Sequence, residues 1–322
     1  MSSTFTVIPV PGHGAEDVVV ATQGPDAGWA FTGTEDGAIF KVAPDGDRIE
    51  RVAQTRGRPL GLEFAADGRL LVCDAHRGLL WVDPSTGEIE EITATVQGVP
   101  MKFCNNAAIA ADGSIWWSDS STQFGIEQWK HDFVRNTRTG RLIRRTPDGT
   151  IRVVLEGLAF ANGVALATDP GREGGGVGGD FVCVAETGAR TVVRYWISGP
   201  RAGMRDRLAS DLPGYPDNIS TGSDGLIWIT IASATDPVVE RLQSAPMIMR
   251  KLATRLPEAI QPKPKQTVRV LAYDARGRRV HDLDIEPAHH GAAYHMVTGV
   301  REHEGRVWLG SLHEPAIAVH VL

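Results

Sequence analysis

Residues 105–121 read NNAAIAADGSIWWSDSS: two asparagines, a small apolar run, an Ala-Asp-Gly turn and a tryptophan-rich strand. The same grammar returns at 60–74 (LGLEFAADGRLLVCD) and at 217–233 (DNISTGSDGLIWITIAS), and more loosely around the turns GPD, TDP and HEG. Apolar stretches of Val, Ile, Leu, Trp and Phe on either side of a short polar turn specify paired strands. Where nothing is inserted, the turn glycines Gly24, Gly68 and Gly113 lie about 45 residues apart, the length of a four-stranded propeller blade. Six such units in 322 residues predict an all-β six-bladed β-propeller, one unit over 1–322.

Two longer gaps interrupt the period. The stretch near 120–140 contains STQFGIEQWKHDFVRNTRTG, and the stretch 234–266 places Val239, Leu242, Ile248, Leu252 and Leu256 at helical spacing. Short helices, broken at Pro246 and Pro257, are expected there, rising from one face of the propeller as a lid. The glycine-rich run GREGGGVGGD (171–180) lacks the Lys-Ser/Thr of a phosphate loop and reads as a surface hairpin.

Counting eight residues back from each turn glycine, or seven from the acidic residue of the turn, reaches Glu16, Leu60, Asn105, Asn162, Asp217 and Val297. Equivalent positions in a closed ring converge on its axis. Four of the six carry side-chain oxygen, and two carboxylates with two amides make a cage suited to Ca²⁺ or another hard divalent cation. Asn106 and Asn218 follow two of these ligands directly and are expected to support them, while Leu60 and Val297 supply apolar wall.

A net charge of −6 argues against nucleic acid as a partner. The N-terminal MSSTFTVIPVPGHGAED has no basic or apolar leader region, and no window approaches 18 uninterrupted apolar residues, so neither a secretory signal nor a membrane partner is expected. Cys73, Cys104 and Cys183 sit in apolar strand runs and read as buried, reduced thiols of a cytoplasmic protein.

The segments LAFANGVALATD, FVCVAETGARTVVRYWISGPRAG, LPGYPDNIS and HMVTGVREHEGRVWLGSLHEP resemble the strictosidine-synthase-like branch of the calcium propeller superfamily. That superfamily also includes gluconolactonase (regucalcin), diisopropyl fluorophosphatase and paraoxonase. The resemblance covers nearly the whole chain. It implies a six-bladed propeller with a channel Ca²⁺ held by a first-blade Glu, an Asn of an Asn-Asp-like pair, an Asn of an Asn-Gly-Val/Ile motif and an Asp of an Asp-Asn motif. Those motifs fall on Glu16, Asn105, Asn162 and Asp217. Two departures accompany it: the glutamate that strictosidine synthase uses for its condensation falls at Thr298, and the histidine that helps paraoxonase activate water falls at Leu60.

The function expected is therefore hydrolysis of a lactone or ester, or of a phosphotriester, with Asp217 or His295 as the catalytic carboxylate or base. Phe103, Phe124, Trp129 and His131 are candidate pocket residues beside Thr298 and Leu60, and they favour a partly apolar small-molecule substrate. Two alternatives stand beside it: a non-catalytic calcium-binding propeller, and a condensing enzyme with Glu286 or Glu302 in place of the missing carboxylate. His289 and His290 are adjacent, as in transition-metal sites, but no further ligand lies at a telling distance.

Overall fold

The turn glycines Gly68, Gly113 and Gly225 take φ of +87°, +82° and +76°, a left-handed conformation open to glycine at little cost. Each folds an inner strand back on its neighbour. In the computed structural model, which describes residues 4–171, 178–257, 263–290 and 293–322, this produces six four-stranded antiparallel sheets arranged as the blades of a propeller. Blades one to five span 18–54, 59–93, 104–158, 161–209 and 214–285. Blade six takes three strands from 297–321 and its outermost strand, Phe5–Pro9, from the other end of the chain, with Phe5 opposite His320 and Pro9 opposite Ala316.

The core is a ring of wedges between neighbouring blades. Phe31 and Ile39 meet Leu62 and Leu70 between blades one and two, and Cys73 and Leu79 meet Cys104 and Trp117 between two and three. Trp228 and Val270 meet Val297 and Leu309 between five and six. A sheet covered on both faces needs a continuous apolar run rather than an alternating one. Hence Leu70–Asp74 is buried throughout. All three cysteines are free and buried.

Both insertions form helices: α1 (Trp129–Arg135), α2 (Pro237–Ser244) and α3 (Met247–Ala253). Asp236 caps α2 through the Val238 amide, and Pro246 separates α2 from α3. Gln243 Nε2 donates to Phe133 O at 2.9 Å, and the Arg250 guanidinium donates to Arg135 O at 2.8 Å, which ties the two insertions together. Residues 172–177 of the glycine-rich run and 258–262 of the second insertion lie outside the described residues.

Candidate metal centre

Five inner strands carry the same irregularity. Their pairing skips two residues, between Pro59 and Leu62, Cys104 and Ala107, Ala161 and Val164, Pro216 and Ile219, and Val297 and Val300. A bulge of this kind re-aims side chains. The first skipped residue borders the channel: Leu60, Asn105, Asn162, Asp217 and Thr298, joined by Glu16 just ahead of Val18–Val20, all line one cavity of about 370 Å³. The sixth position is therefore Thr298, not Val297, which is fully buried in the wedge between blades five and six. Counting back from the turn fails here because blade six turns on only two residues, Glu304 and Gly305, both at positive φ. Blade three instead spends the longer turn between Ala110 and Ser114.

The second strands orient the candidate ligands. Asp119 Oδ1 accepts from Phe103 N (3.1 Å) and Glu186 Oε1 from Ala159 N (2.9 Å), pinning the segments that lead to Asn105 and Asn162. The hydroxyl residue after each acid then takes the amide nitrogen. Asn105 Nδ2 donates to Ser120 Oγ at 2.9 Å, and Asn162 Nδ2 donates to Thr187 Oγ1 at 3.2 Å. Asn218 Nδ2 donates to Glu16 Oε1 at 3.1 Å. With the nitrogens committed, Asn105 Oδ1, Asn162 Oδ1 and Glu16 Oε2 are buried acceptors without a hydrogen-bond partner, as is Asn218 Oδ1.

A buried acceptor left unsatisfied costs about 1–3 kcal/mol. Several converging on one cavity floor fit a hard cation, which takes six to eight oxygens and is matched in charge by Glu16 and Asp217. The set contains no sulfur or imidazole, and among the described residues no group of three or more His, Cys, Asp or Glu suits a metal. His289 pairs with exposed Glu286 at 3.0 Å instead.

Beneath the ligands, the second bulge residues alternate in size around the ring: Asp17, Gly61, Asn106, Gly163, Asn218, Gly299. A Cβ on Gly61 would lie 2.6 Å from Asn106 Cα, one on Gly163 2.5 Å from the Asn218 carbonyl carbon, and one on Gly299 2.6 Å from Asp17 Cα. Each glycine thus makes room for the polar residue of the next blade. Asn106 uses both ends of its amide, donating to Asp17 Oδ2 (3.3 Å) and accepting from Val164 N (2.8 Å).

Burial pushes Glu16 well above the usual carboxylate range, with Asp17 and Asp217 adding repulsion. Burial likewise raises Asp217 to about 7 and Asp17 to about 6. Arg58 pulls Glu16 back, and Arg301 pulls Asp17 back while paired with Glu63 at 2.7 Å. Desolvation first and repulsion from neighbouring acids second thus raise the proton affinity of all three carboxyls.

Residues 29–252 match the protein family described as the SMP-30/Gluconolactonase/LRE-like region. The chain belongs to this family. Among its relatives are the Arabidopsis thaliana protein STRICTOSIDINE SYNTHASE-LIKE 10, 31% identical over 318 residues, covering 94% of this chain and 79% of the relative. The adipocyte plasma membrane-associated protein of Gallus gallus is 31% identical over 313 residues, covering 89% and 71%. A gluconolactonase structure from Xanthomonas campestris superposes with a TM-score of 0.68 at 14% identity, covering 99% of this chain and 89% of that one. The calcium-binding protein regucalcin of Agrobacterium tumefaciens superposes at 0.63 with 12% identity, covering 97% and 90%.

Above its oxygen ring, this SMP-30/gluconolactonase-like propeller is walled by apolar side chains. Phe103 and Phe160 meet edge to face at 5.4 Å, and Trp129 and Phe133 of α1 close over them together with Val239 and Leu242 of α2. Of the pocket residues expected from sequence, Leu60, Phe103, Trp129 and Thr298 line this chamber. Phe124 does not, since its ring packs on His131 and under the Arg135 guanidinium. His295 also lies off the lining; its Nδ1 is paired with Glu314 and its ring stacks on His313.

Thr298, at the place of the condensing glutamate, donates its hydroxyl to Glu16 O at 2.8 Å. Glu302 is occupied at the far end of its strand by Ser223 and Gly305 N. Sequence reading missed Ser120 and Thr187, although a signal was present. An acid followed by a hydroxyl ends the second strand where the inner residue is Asn, and Asp74-Ala75 ends it where that residue is Leu60.

Proposed function

We propose that this chain is a calcium-dependent hydrolase of partly apolar lactones or esters, acting in the channel. The observation that carries this reading is the placement of unpartnered, buried oxygens of Glu16, Asn105 and Asn162 on the floor of a chamber walled by aromatic residues. Glu16, Asn105, Asn162 and Asp217 would hold the cation. Once bound, Ca²⁺ supplies Lewis-acid polarisation of the substrate carbonyl and stabilises charge that develops on its oxygen.

The remaining work falls to side chains. Phe103, Phe160, Trp129 and Phe133 exclude water and orient the apolar part of the substrate. Asp217 borders the chamber, so a carboxylate oxygen there can take the proton of an attacking water. His295 is engaged with Glu314 and does not line the chamber, so the proton transfer falls to Asp217.

Hydrolysis of phenyl acetate and of an aromatic lactone by the calcium-loaded protein tests this. Asp217→Asn, which removes a proton acceptor and a cation-holding oxygen together, is expected to reduce turnover by about 100-fold or more, and His295→Gln by far less. Loss of activity in His295→Gln with Asp217→Asn still active would reverse the assignment. Turnover that survives chelation would remove the metal-dependent reading altogether.

A further inference from the structure

The second insertion carries an unusual surface. Eleven large hydrophobic residues stand exposed among the described residues, and six of them, Val238, Met247, Ile248, Met249, Leu252 and Leu256, fall within this one segment. On α3 Ile248, Lys251 and Leu252 stand exposed at helical spacing i, i+3, i+4, and Arg255 is exposed in the turn that follows. Ile248 is 70% and Leu252 58% exposed, whereas Thr254 on the opposite side is buried and bonded to the Arg135 side chain. The helix thus turns Ile248 and Leu252 away from the protein.

We infer that α3 and the start of α2 form a docking surface for an anionic lipid bilayer. Charge selects the occupant. Between 237 and 257 lie Arg241, Arg250, Lys251 and Arg255 against a single acid, Glu240. That acid is engaged by the Tyr215 hydroxyl and Arg190. This basic segment belongs to a chain of net charge −6. Apolar side chains interleaved with Lys and Arg on one outward face are what interfacial helices use, the apolar groups entering the acyl boundary and the cations meeting lipid phosphates.

A second copy of the chain fits this face less well, because a two-fold contact would bring the basic residues of both copies onto one interface with no acid free to offset them. No helix among the described residues is long and apolar enough to cross a membrane, and lying on one requires no such helix. Val239, Leu242, Ala253 and Leu256 of the same segment line the chamber. A docked protein would therefore turn the roof of its cavity toward lipid, the phase in which apolar esters gather; this last consequence rests on the hydrolase reading, and the docking does not.

Sedimentation of the full chain with phosphatidylglycerol–phosphatidylcholine vesicles at low salt, against phosphatidylcholine alone, tests the surface. Binding is expected only to the anionic vesicles. Ile248→Asp and Leu252→Asp should each weaken it about tenfold or more, and Lys251→Glu and Arg255→Glu about fivefold each. Val280→Asp, the same kind of change at an exposed site on blade five, should leave it unchanged. Because Ile248 is exposed, its variant should melt with the parent, which separates lost docking from lost fold. Absence of binding to anionic vesicles, equal binding by the Asp variants, or a solution dimer that Ile248→Asp dissociates would overturn the proposal.

Discussion

An asparagine can turn either end of its amide toward a channel, and only one end can ligate a cation. Ser120 and Thr187 decide the matter by accepting the nitrogens of Asn105 and Asn162. Removing such an orienting partner commonly costs 10–100-fold in metal affinity. Ser120→Ala is therefore expected to weaken calcium binding by about tenfold or more, measured by titration calorimetry, and, because Ser120 Oγ also donates to Ala161 O at 2.6 Å, to lower the melting temperature in chelator as well. Proton competition gives a second expectation. Glu16, Asp17 and Asp217 are raised in the folded protein by burial, so between about pH 4 and pH 7 the native state binds more protons than the unfolded one. The stability these groups contribute is present in acid and lost as pH rises through their folded values. Cation binding uses the deprotonated forms and opposes that loss. The rise in melting temperature produced by calcium should grow from about pH 5 to about pH 8; a rise that shrinks over this interval would contradict the assignment. At this scale the four oxygen-bearing residues were legible, because their type and distance from a turn are sequence properties. The hydroxyls that aim them were missed, because Ser120 and Thr187 lie just past the ends of the neighbouring strands and show only as an acid followed by a hydroxyl, with no fixed distance from the turn.

At the scale of the element, the bulge is the device that presents one residue to the axis and packs the next beneath it. Gly163 shows how little slack it has: a Cβ there would lie 2.1 Å from Ile219 N and 2.5 Å from Asn218 C, both backbone. Gly163→Ala is expected to destabilise the protein by several kcal/mol, of order 3 or more, read from urea unfolding, and to weaken calcium binding because Asn218 and its hold on Glu16 must move. The bulge explains why the turn-based register reaches the correct residue in blades two to five and slips to Val297 in blade six, where the turn is tighter. Helical insertions follow a similar logic. Their period was legible, but the direction in which Ile248 and Leu252 face depends on which residues Arg250 and Thr254 find to bond. Within α1, Phe133→Ala should raise KM for an aryl ester by about tenfold while leaving calcium affinity unchanged. Equal loss of both would place Phe133 in the support of the ring rather than in the wall of the chamber.

Across the whole molecule, six wedges of side chains hold six sheets around one axis, and the ring is closed by pairing Phe5–Pro9 with Ala316–Val321. Repetition made the propeller legible, since each blade repeats a local pattern. Nothing local to residues 5–9 shows that their partner strand lies at the other end of the chain. A cation held in the channel would act on the same quantity as closure, the distance between blades one and five, because Glu16 of the first meets Asn218 of the fifth at 3.1 Å. The channel is then a site assembled from all parts of the chain at once, and it exists only when the ring is shut. Calorimetric titration of calcium into the chelator-treated chain tests this account most directly. One ion per chain is predicted to bind, with the heat abolished in Asp217→Asn and strongly reduced in Asn162→Ala. Absence of binding, or binding that both variants retain, would contradict it.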